Sequence, residues 1–269
     1  MSRISKRFST LNQYDRTALV AYVTAGDPNI NTTLDVMHAC AEAGCDLLEI
    51  GVPFSDPMAD GPAIEKAMVR ALAQGTDLQN VLDCVARFRQ KDRTTPVVLF
   101  GYSNPFFQYG YEKLAKAAKQ AGADGILAVD LPPEEADELV AIEAFDGLDF
   151  IGLFTPTSSD ARAQVIATRS TGFAYYVSMT GVTGGGIQGL DAIADRVDRI
   201  RDITSLPVAV GFGIRTPEDA RAVSQFADGV VIGSELIRRI EQAGPEGAAR
   251  AAGEFIGTIR SALDDTGAL

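Results

Sequence analysis

The sequence is poor in the side chains that most often hold metals or act as nucleophiles: its 269 residues include one histidine, His38, and three cysteines, Cys40, Cys45 and Cys84. A single histidine excludes a Ser-His-Asp triad and any multi-histidine metal centre. His38 falls in a stretch that reads as helix over residues 31–43, which gives it a structural or surface role. The cysteines are odd in number and not spaced as a metal knuckle, so they are expected as buried free thiols, and no metal is expected. No apolar run approaches the ~20 residues of a membrane span, and the N-terminus, Met-Ser-Arg-Ile-Ser-Lys-Arg-Phe, has no signal-peptide apolar segment. The cytoplasm is the expected compartment. Basic residues are also scarce: 24 Lys and Arg against 36 Asp and Glu give a net charge of −12, which disfavours a nucleic-acid or anionic-membrane partner. A local phosphate site stays open. Acid–base work is left to Glu, Asp, Tyr or Lys.

What is abundant is alternation. Short apolar runs at residues 18–23, 46–51, 96–101, 125–129, 150–153, 173–177, 206–211 and 229–232 are flanked by Gly and Pro and read as eight strands. Amphipathic stretches at 31–43, 62–73, 78–90, 111–121, 133–144, 159–170, 190–203 and 216–226 read as helices between them. Two more, at 234–242 and 246–263, close the chain. Ile4, Phe8 and Leu11 at helical spacing add a short N-terminal helix that plugs or caps the body. The phrases Glu-Ala-Gly-Cys-Asp, Gln-Ala-Gly-Ala-Asp and Gln-Phe-Ala-Asp-Gly each join a helix end to the next strand. Eight such βα units without a polar linker predict one α/β domain over residues 1–269, a (β/α)₈ barrel with chemistry at the C-terminal strand ends. An open dinucleotide-binding sheet is the competitor, but its Gly-x-Gly-x-x-Gly fingerprint after the first strand is absent.

One carboxylate stands out on this frame. In Leu48-Glu-Ile-Gly-Val-Pro-Phe-Ser-Asp-Pro-Met-Ala-Asp-Gly61, strand alternation puts Glu49 on one face with Leu47 and Gly51. A buried carboxylate must be paired, neutralised or kept for proton transfer. Asp56 and Asp60 lie in the loop above it, on the barrel's active face. Opposite, three glycine-bearing strand ends make a candidate phosphate cradle: Ser178-Met-Thr-Gly-Val-Thr-Gly-Gly-Gly-Ile187, Val210-Gly-Phe-Gly-Ile-Arg215 and Ile232-Gly-Ser-Glu-Leu236. Glycines admit an anion close to the backbone, and helix N-termini supply free donors, with Ser234 expected to cap its helix. Tyr22, Phe100, Tyr102, Leu127, Tyr175 and Ile232 are expected to line the mouth between the two sides. An aromatic or apolar phosphate ester is the substrate class this combination suggests, with the loops at 53–61 and 178–189 as lids.

These residues resemble the tryptophan synthase α subunit family along essentially the whole chain. The segment from Leu48 to Gly61 carries the family signature, and Tyr102-Ser-Asn-Pro, Thr180-Gly-Val-Thr-Gly184, Gly211-Phe-Gly-Ile214 and Gly233-Ser234 follow in the family's order. The resemblance implies retro-aldol cleavage of indole-3-glycerol phosphate to indole and glyceraldehyde 3-phosphate, with no cofactor in this chain. It implies Glu49 as general acid/base, Asp60 as acceptor of the indole N–H, and Gly184, Gly213, Gly233 and Ser234 around the phosphate. Tyr175 is then beside the glycerol part and Thr183 joins the substrate contacts. It also implies a pyridoxal-phosphate-bearing β subunit, in an α₂β₂ assembly, facing Pro53, Asp56 and Asn104. Met179 stands where many members have Arg, Tyr22 and Phe100 where some have Phe and Leu, and Glu65 where Gln is usual. Two alternatives share the same residues: a lyase that works alone, and a catalytically silent phosphate-binding barrel that regulates a partner.

Overall fold

A computed structural model describes residues 1–178, 189–211 and 213–265. Nine parallel strand segments form one sheet: β1 Ala18–Thr24, β2 Leu47–Gly51, β3 Val97–Gly101, β4 Gly125–Ala128, β5 Asp149–Phe150, β6 Gly152–Phe154, β7 Ala174–Val177, β8 Val208–Gly211 and β9 Gly229–Ile232. The order around the sheet is β5-β4-β3-β2-β1-β9-β8-β7-β6. The predicted fifth strand is therefore β5 and β6 in succession. Its first half pairs with β4 and its second with β7, so the ring closes through the main chain at Ile151, whose N–H bonds the carbonyl of Ile126 at 3.0 Å. The expected eight-unit α/β barrel is what the chain forms.

Alternation along the strands divides the apolar residues into two layers. Val20, Leu47, Val98, Leu127, Phe173 and Val231 point into the barrel, while Leu19, Leu48, Ile50, Leu99, Val230 and Ile232 pack outward against the helices. The bottom of the inner layer is closed by α1, Arg3–Gln13. Its Ile4, Phe8 and Leu11 turn inward, with the Phe8 and Phe173 rings 5.5 Å apart. The N-terminal helix is the expected plug.

At the same end, the Asp of each repeated helix–strand phrase has a defined task. Asp46, Asp124 and Asp228 accept the N–H of Leu19, Val97 and Val208 at 2.9, 2.8 and 2.7 Å, each reaching the neighbouring strand. Arg260 pairs with Asp46 at 3.0 Å, and Arg3 and Arg89 both grip Asp124. A donor at the sheet's rim that would otherwise go unpaired is thus satisfied by charge-assisted bonds, which are stronger than neutral ones.

The remaining helices are α2 Ile30–Glu42, α3 Pro62–Ala73, α4 Leu78–Arg89, α5 Ser103–Tyr109, α6 Tyr111–Ala121, α7 Asp137–Val140, α8 Asp160–Arg169, α9 Leu190–Ile203, α10 Pro217–Ser224 and α11 Ser234–Asp264. Two places differ from the sequence-based expectation. The stretch 133–144 shrinks to α7 and a 3₁₀ turn over Glu143–Phe145, because Glu134, Glu135, Asp137 and Glu138 crowd like charges into one turn after two prolines. A short helix, α5, appears before α6, and Gly110 at φ 89° separates them. The two closing helices run on as α11, broken at Gly244, φ 66°, just before Pro245. His38 is stacked on Phe88, rings 4.8 Å apart, and the three cysteines are buried free thiols.

Candidate active site

The inner face carries one acid among apolar and phenolic neighbours. Glu49, the central residue of β2, is wholly buried, and among the described residues neither carboxylate oxygen has a hydrogen-bond partner. Its strand partners are Tyr22 on β1 and Val98 on β3. Without a cation or donor to hold its charge, burial pushes the carboxyl up to about 8. Of the three fates open to a buried carboxylate, neutralisation at neutral pH is the one this environment imposes, and a neutral acid there can give a proton.

Glycines shape the space above it. Gly51 follows Glu49 on the inner face, and a Cβ there would stand 2.1 Å from the Tyr22 hydroxyl. The missing side chain lets Tyr22 lean across β2 to meet Phe100 edge-on at 5.1 Å. On the opposite wall Gly211 does the same for Tyr175, whose hydroxyl would lie 2.3 Å from a Cβ at that position. Leu127, beside Phe100 in the β3–β4 register, is buried on the same inner face. Tyr22, Phe100, Leu127 and Tyr175 therefore converge as expected. The side chains of Tyr22, Tyr102 and Tyr175 are all buried. Ile232 is a correction: β9 directs Val231 inward, and Ile232 packs in the outer layer against the helices.

Asp60 reaches the mouth from the loop after β2 and is anchored there. The Tyr102 hydroxyl donates to Asp60 Oδ2 at 2.7 Å and accepts the N–H of Ala59 at 3.1 Å, while its ring lies 5.3 Å from Phe54. Burial, the largest influence, and Glu65 raise the Asp60 carboxyl, and the Tyr102 bond lowers it, leaving a net rise. Tyr102 is the first residue after β3 and the N-cap of α5, so a rigid element carries the anchor. No signal in a single sequence joins Tyr102 to Asp60; only the adjacency of two strand ends does. Arg70 on α3 braces the same rim, gripping Asp27 through two bonds of 2.7 and 2.8 Å and Glu241 of α11 at 2.6 Å.

The far side is built from backbone. Gly213 sits at φ 84°, and Gly233 is the N-cap of α11. Ser234 does not cap that helix: it is the first helical residue, and among the described residues no side chain caps the first turn. Those donors and the dipole are what an anion would meet there. Gly233 also lies against the cleft, since a Cβ on it would be 3.6 Å from Tyr22 Cβ. Thr183 and Gly184, with Met179, lie outside the described residues. On the rim, Asp56 and Asn104 are exposed, whereas Pro53 is buried beneath the loop, contrary to a partner-facing place. Met58 and Phe107 are exposed beside them, at 83 and 61%. Among the described residues no three His, Cys, Asp or Glu side chains converge as a metal site, and no helix is long and apolar enough to cross a membrane.

Comparison with known proteins gives this arrangement a family. The family profile described as tryptophan synthase alpha chain matches residues 8–263. The tryptophan synthase alpha chain of Nitrosococcus oceani is 50% identical over 268 residues, covering 99% of each chain, and that of Burkholderia thailandensis is 48% identical over 264 residues, covering 98% of this chain and 97% of the relative. Among solved structures, tryptophan synthase subunit alpha from Legionella pneumophila str. Paris superposes with a TM-score of 0.91 at 42% identity, covering 98% of this chain and 99% of that one. A tryptophan synthase complex from Pyrococcus furiosus superposes at 0.83 with 35% identity, covering 91 and 98%. The chain belongs to the tryptophan synthase alpha chain family.

Proposed function

We propose that this chain cleaves indole-3-glycerol phosphate to indole and glyceraldehyde 3-phosphate, with Glu49 as acid and base and Asp60 as the partner of the indole N–H. The observation that carries the proposal is Glu49 itself, a carboxyl buried without a hydrogen bond at the floor of the cleft and held neutral at physiological pH. Protonated Glu49 gives its proton to C3 of the indole ring, and the ring nitrogen becomes iminium-like. Anionic Asp60 stabilises that charge through the N–H. The Glu49 carboxylate then takes the proton of the hydroxyl on the adjacent glycerol carbon. The electrons of that O–H bond form the aldehyde carbonyl, the C3–carbon bond breaks, and its pair restores the aromatic ring. Glu49 ends protonated, ready for the next turnover.

The phosphate of this substrate suits the uncapped first turn of α11, at Gly233 and Ser234, together with Gly213. Family resemblance adds Thr183 and Gly184. Tyr22, Phe100, Leu127 and Tyr175 supply apolar contact for the ring and glycerol chain. No cofactor is required in this scheme, and pyridoxal phosphate is assigned only to a β subunit that receives the indole, in an α₂β₂ assembly. The exposed Asp56, Met58, Asn104 and Phe107 on the rim of the active face suit such a partner. Three free thiols suit a reducing compartment, and we assign the chain to the cytoplasm.

The test is indole release from indole-3-glycerol phosphate, measured with and without a β subunit. Activity that rises on adding the β subunit supports the subunit role, activity indifferent to it marks a lyase that works alone, and no release in either case leaves a silent binder. Glu49→Gln and Asp60→Asn should each lower turnover by at least ~10²-fold with the circular dichroism spectrum unchanged. Near-normal turnover in either variant removes that residue from the mechanism.

A further inference from the structure

We infer that Tyr102 is a positioning residue for the substrate ring: its hydroxyl fixes Asp60 through Oδ2 and presents Oδ1 to the ring N–H, making the site selective for heterocycles that carry one. The inference rests on the cleavage reaction proposed above. Its ground is the direction of two hydrogen bonds. The N–H of Ala59 can only donate, so it takes a lone pair of the Tyr102 oxygen, at 3.1 Å. The single phenolic proton is then directed to Asp60 Oδ2, at 2.7 Å. Asp60 is held as an acceptor, the state needed to receive an N–H.

Rigidity strengthens the inference. Asp60 belongs to a loop, whereas Tyr102 is wholly buried at the junction of β3 and α5 with its ring packed on Phe54. A loop carboxylate left alone would swing toward water whenever the ligand lacked a donor, and the penalty for the wrong ring would be small. Anchored to the barrel and partly buried, it is either satisfied by the ring or left with an acceptor that the ring covers and does not pair. Sites built to hydrogen-bond a substrate group reject analogues lacking it for that reason. Among the described residues none bonds Oδ1.

The experiment compares binding of the non-cleavable indole-3-propyl phosphate and its N-methyl counterpart, by calorimetry, to wild type, Tyr102→Phe, Asp60→Asn and the double variant. Turnover of indole-3-glycerol phosphate is measured on the same four proteins. Wild type should prefer the N–H ligand by ~10-fold or more. Y102F, which keeps the ring and loses only the hydroxyl, should reduce that preference to ~3-fold or less. It should also shift the acid limb of kcat/KM to higher pH, since the lost bond is one that lowers the Asp60 carboxyl. In the Asp60→Asn background Y102F should change neither quantity further. A preference unchanged in Y102F, or effects that add in the double variant, would overturn the inference. Should Y102F lack the native circular dichroism spectrum, Tyr102→Leu, which carries no side-chain donor at all, is held to the same two outcomes. Wild-type failure to cleave the substrate at all would instead reject the proposed reaction, so the two failures are distinguishable.

Discussion

Tyr22 and Glu49 stand opposite each other in the β1–β2 register, both on the inner face of the barrel and both shut off from solvent. The pair brings an acid and a phenol together with no cation against them among the described residues, and burial raises both groups. For Glu49 the consequence is a cost in stability whose sign follows from its folded value of about 8 against an ordinary 4.5. Below pH 4.5 the group is neutral folded or unfolded and the fold loses nothing. Between 4.5 and about 8 the unfolded chain ionises and the folded one does not, so stability falls, reaching a cost of about 3 kcal/mol at pH 7. Glu49→Gln cannot ionise, and the amide keeps a desolvation cost of its own. E49Q should therefore be more stable than wild type by ~1–3 kcal/mol at pH 7 while losing turnover. Urea unfolding at pH 5 and pH 8 checks this, and a difference that does not grow with pH would refute it.

The two carboxyls of the proposed mechanism, Glu49 and Asp60, predict the pH dependence of catalysis. In the proposed mechanism Glu49 starts protonated, so kcat/KM should fall as pH rises past about 8. The same mechanism uses Asp60 as an anion, and because burial and Glu65 raise it, the acid limb should lie above the ordinary aspartate range. Glu65→Gln, on the first turn of α3, should move the acid limb to lower pH and leave the basic limb in place. A pH–rate profile of the two proteins measures both limbs. Identical acid limbs would remove Glu65 from the account.

Much of the architecture could be read from residue order alone, and the reason is periodicity. Eight apolar runs bounded by Gly and Pro, with amphipathic stretches between, report parallel strands buried on both faces. The position of Glu49 was legible for the same reason, since alternation fixes its face. What escaped depends on contacts between strand ends far apart in sequence. Tyr102 anchors Asp60 across 42 positions, and Gly51 and Gly211 seat two tyrosines rather than merely turning the chain. Ile232 was misplaced because a one-residue change of register exchanges the inner and outer faces. The short α5 carries no expectation from the sequence, and the helix expected at 133–144 is shorter, because Gly110 and local charge crowding decide those boundaries.

The repeated Asp at the bottom of the barrel predicts a loss of stability without a loss of chemistry. Asp124 accepts from Val97 N–H, Arg3 and Arg89 at once, at 2.8, 2.6 and 2.7 Å. Replacing it by Ala takes the acceptor from the buried Val97 N–H and the carboxylate from the guanidinium of Arg89, which is itself little exposed and keeps only the carbonyls of Gly122, Asp92 and Thr95. Removing one partner of such a group is expected to cost ~3 kcal/mol or more. The active face lies at the other end of the strands, so kcat at 20 °C should stay within about twofold of wild type. Chemical unfolding and steady-state assay of D124A together test this.

The sharpest steric prediction concerns Gly211 and Tyr175. A Cβ on Gly211 would lie 2.3 Å from the Tyr175 hydroxyl oxygen and 2.7 Å from two ring carbons. Tyr175 is 7% exposed and packed against Phe173 in the barrel's inner layer, so the ring cannot swing aside freely. Gly211→Ala should therefore displace the ring into the cleft and cost ~1–3 kcal/mol, with a larger proportional loss in kcat/KM because the displaced ring occupies substrate space. Tyr175→Phe should not relieve it, since the ring carbons clash as well as the oxygen. Tyr175→Ala removes every clashing atom and should restore part of the activity lost in G211A, although the same change in the wild-type background opens a cavity and lowers activity. Activity in the double variant above that of G211A alone is the signature of a direct clash. Simple additivity of the two losses would refute the direct clash.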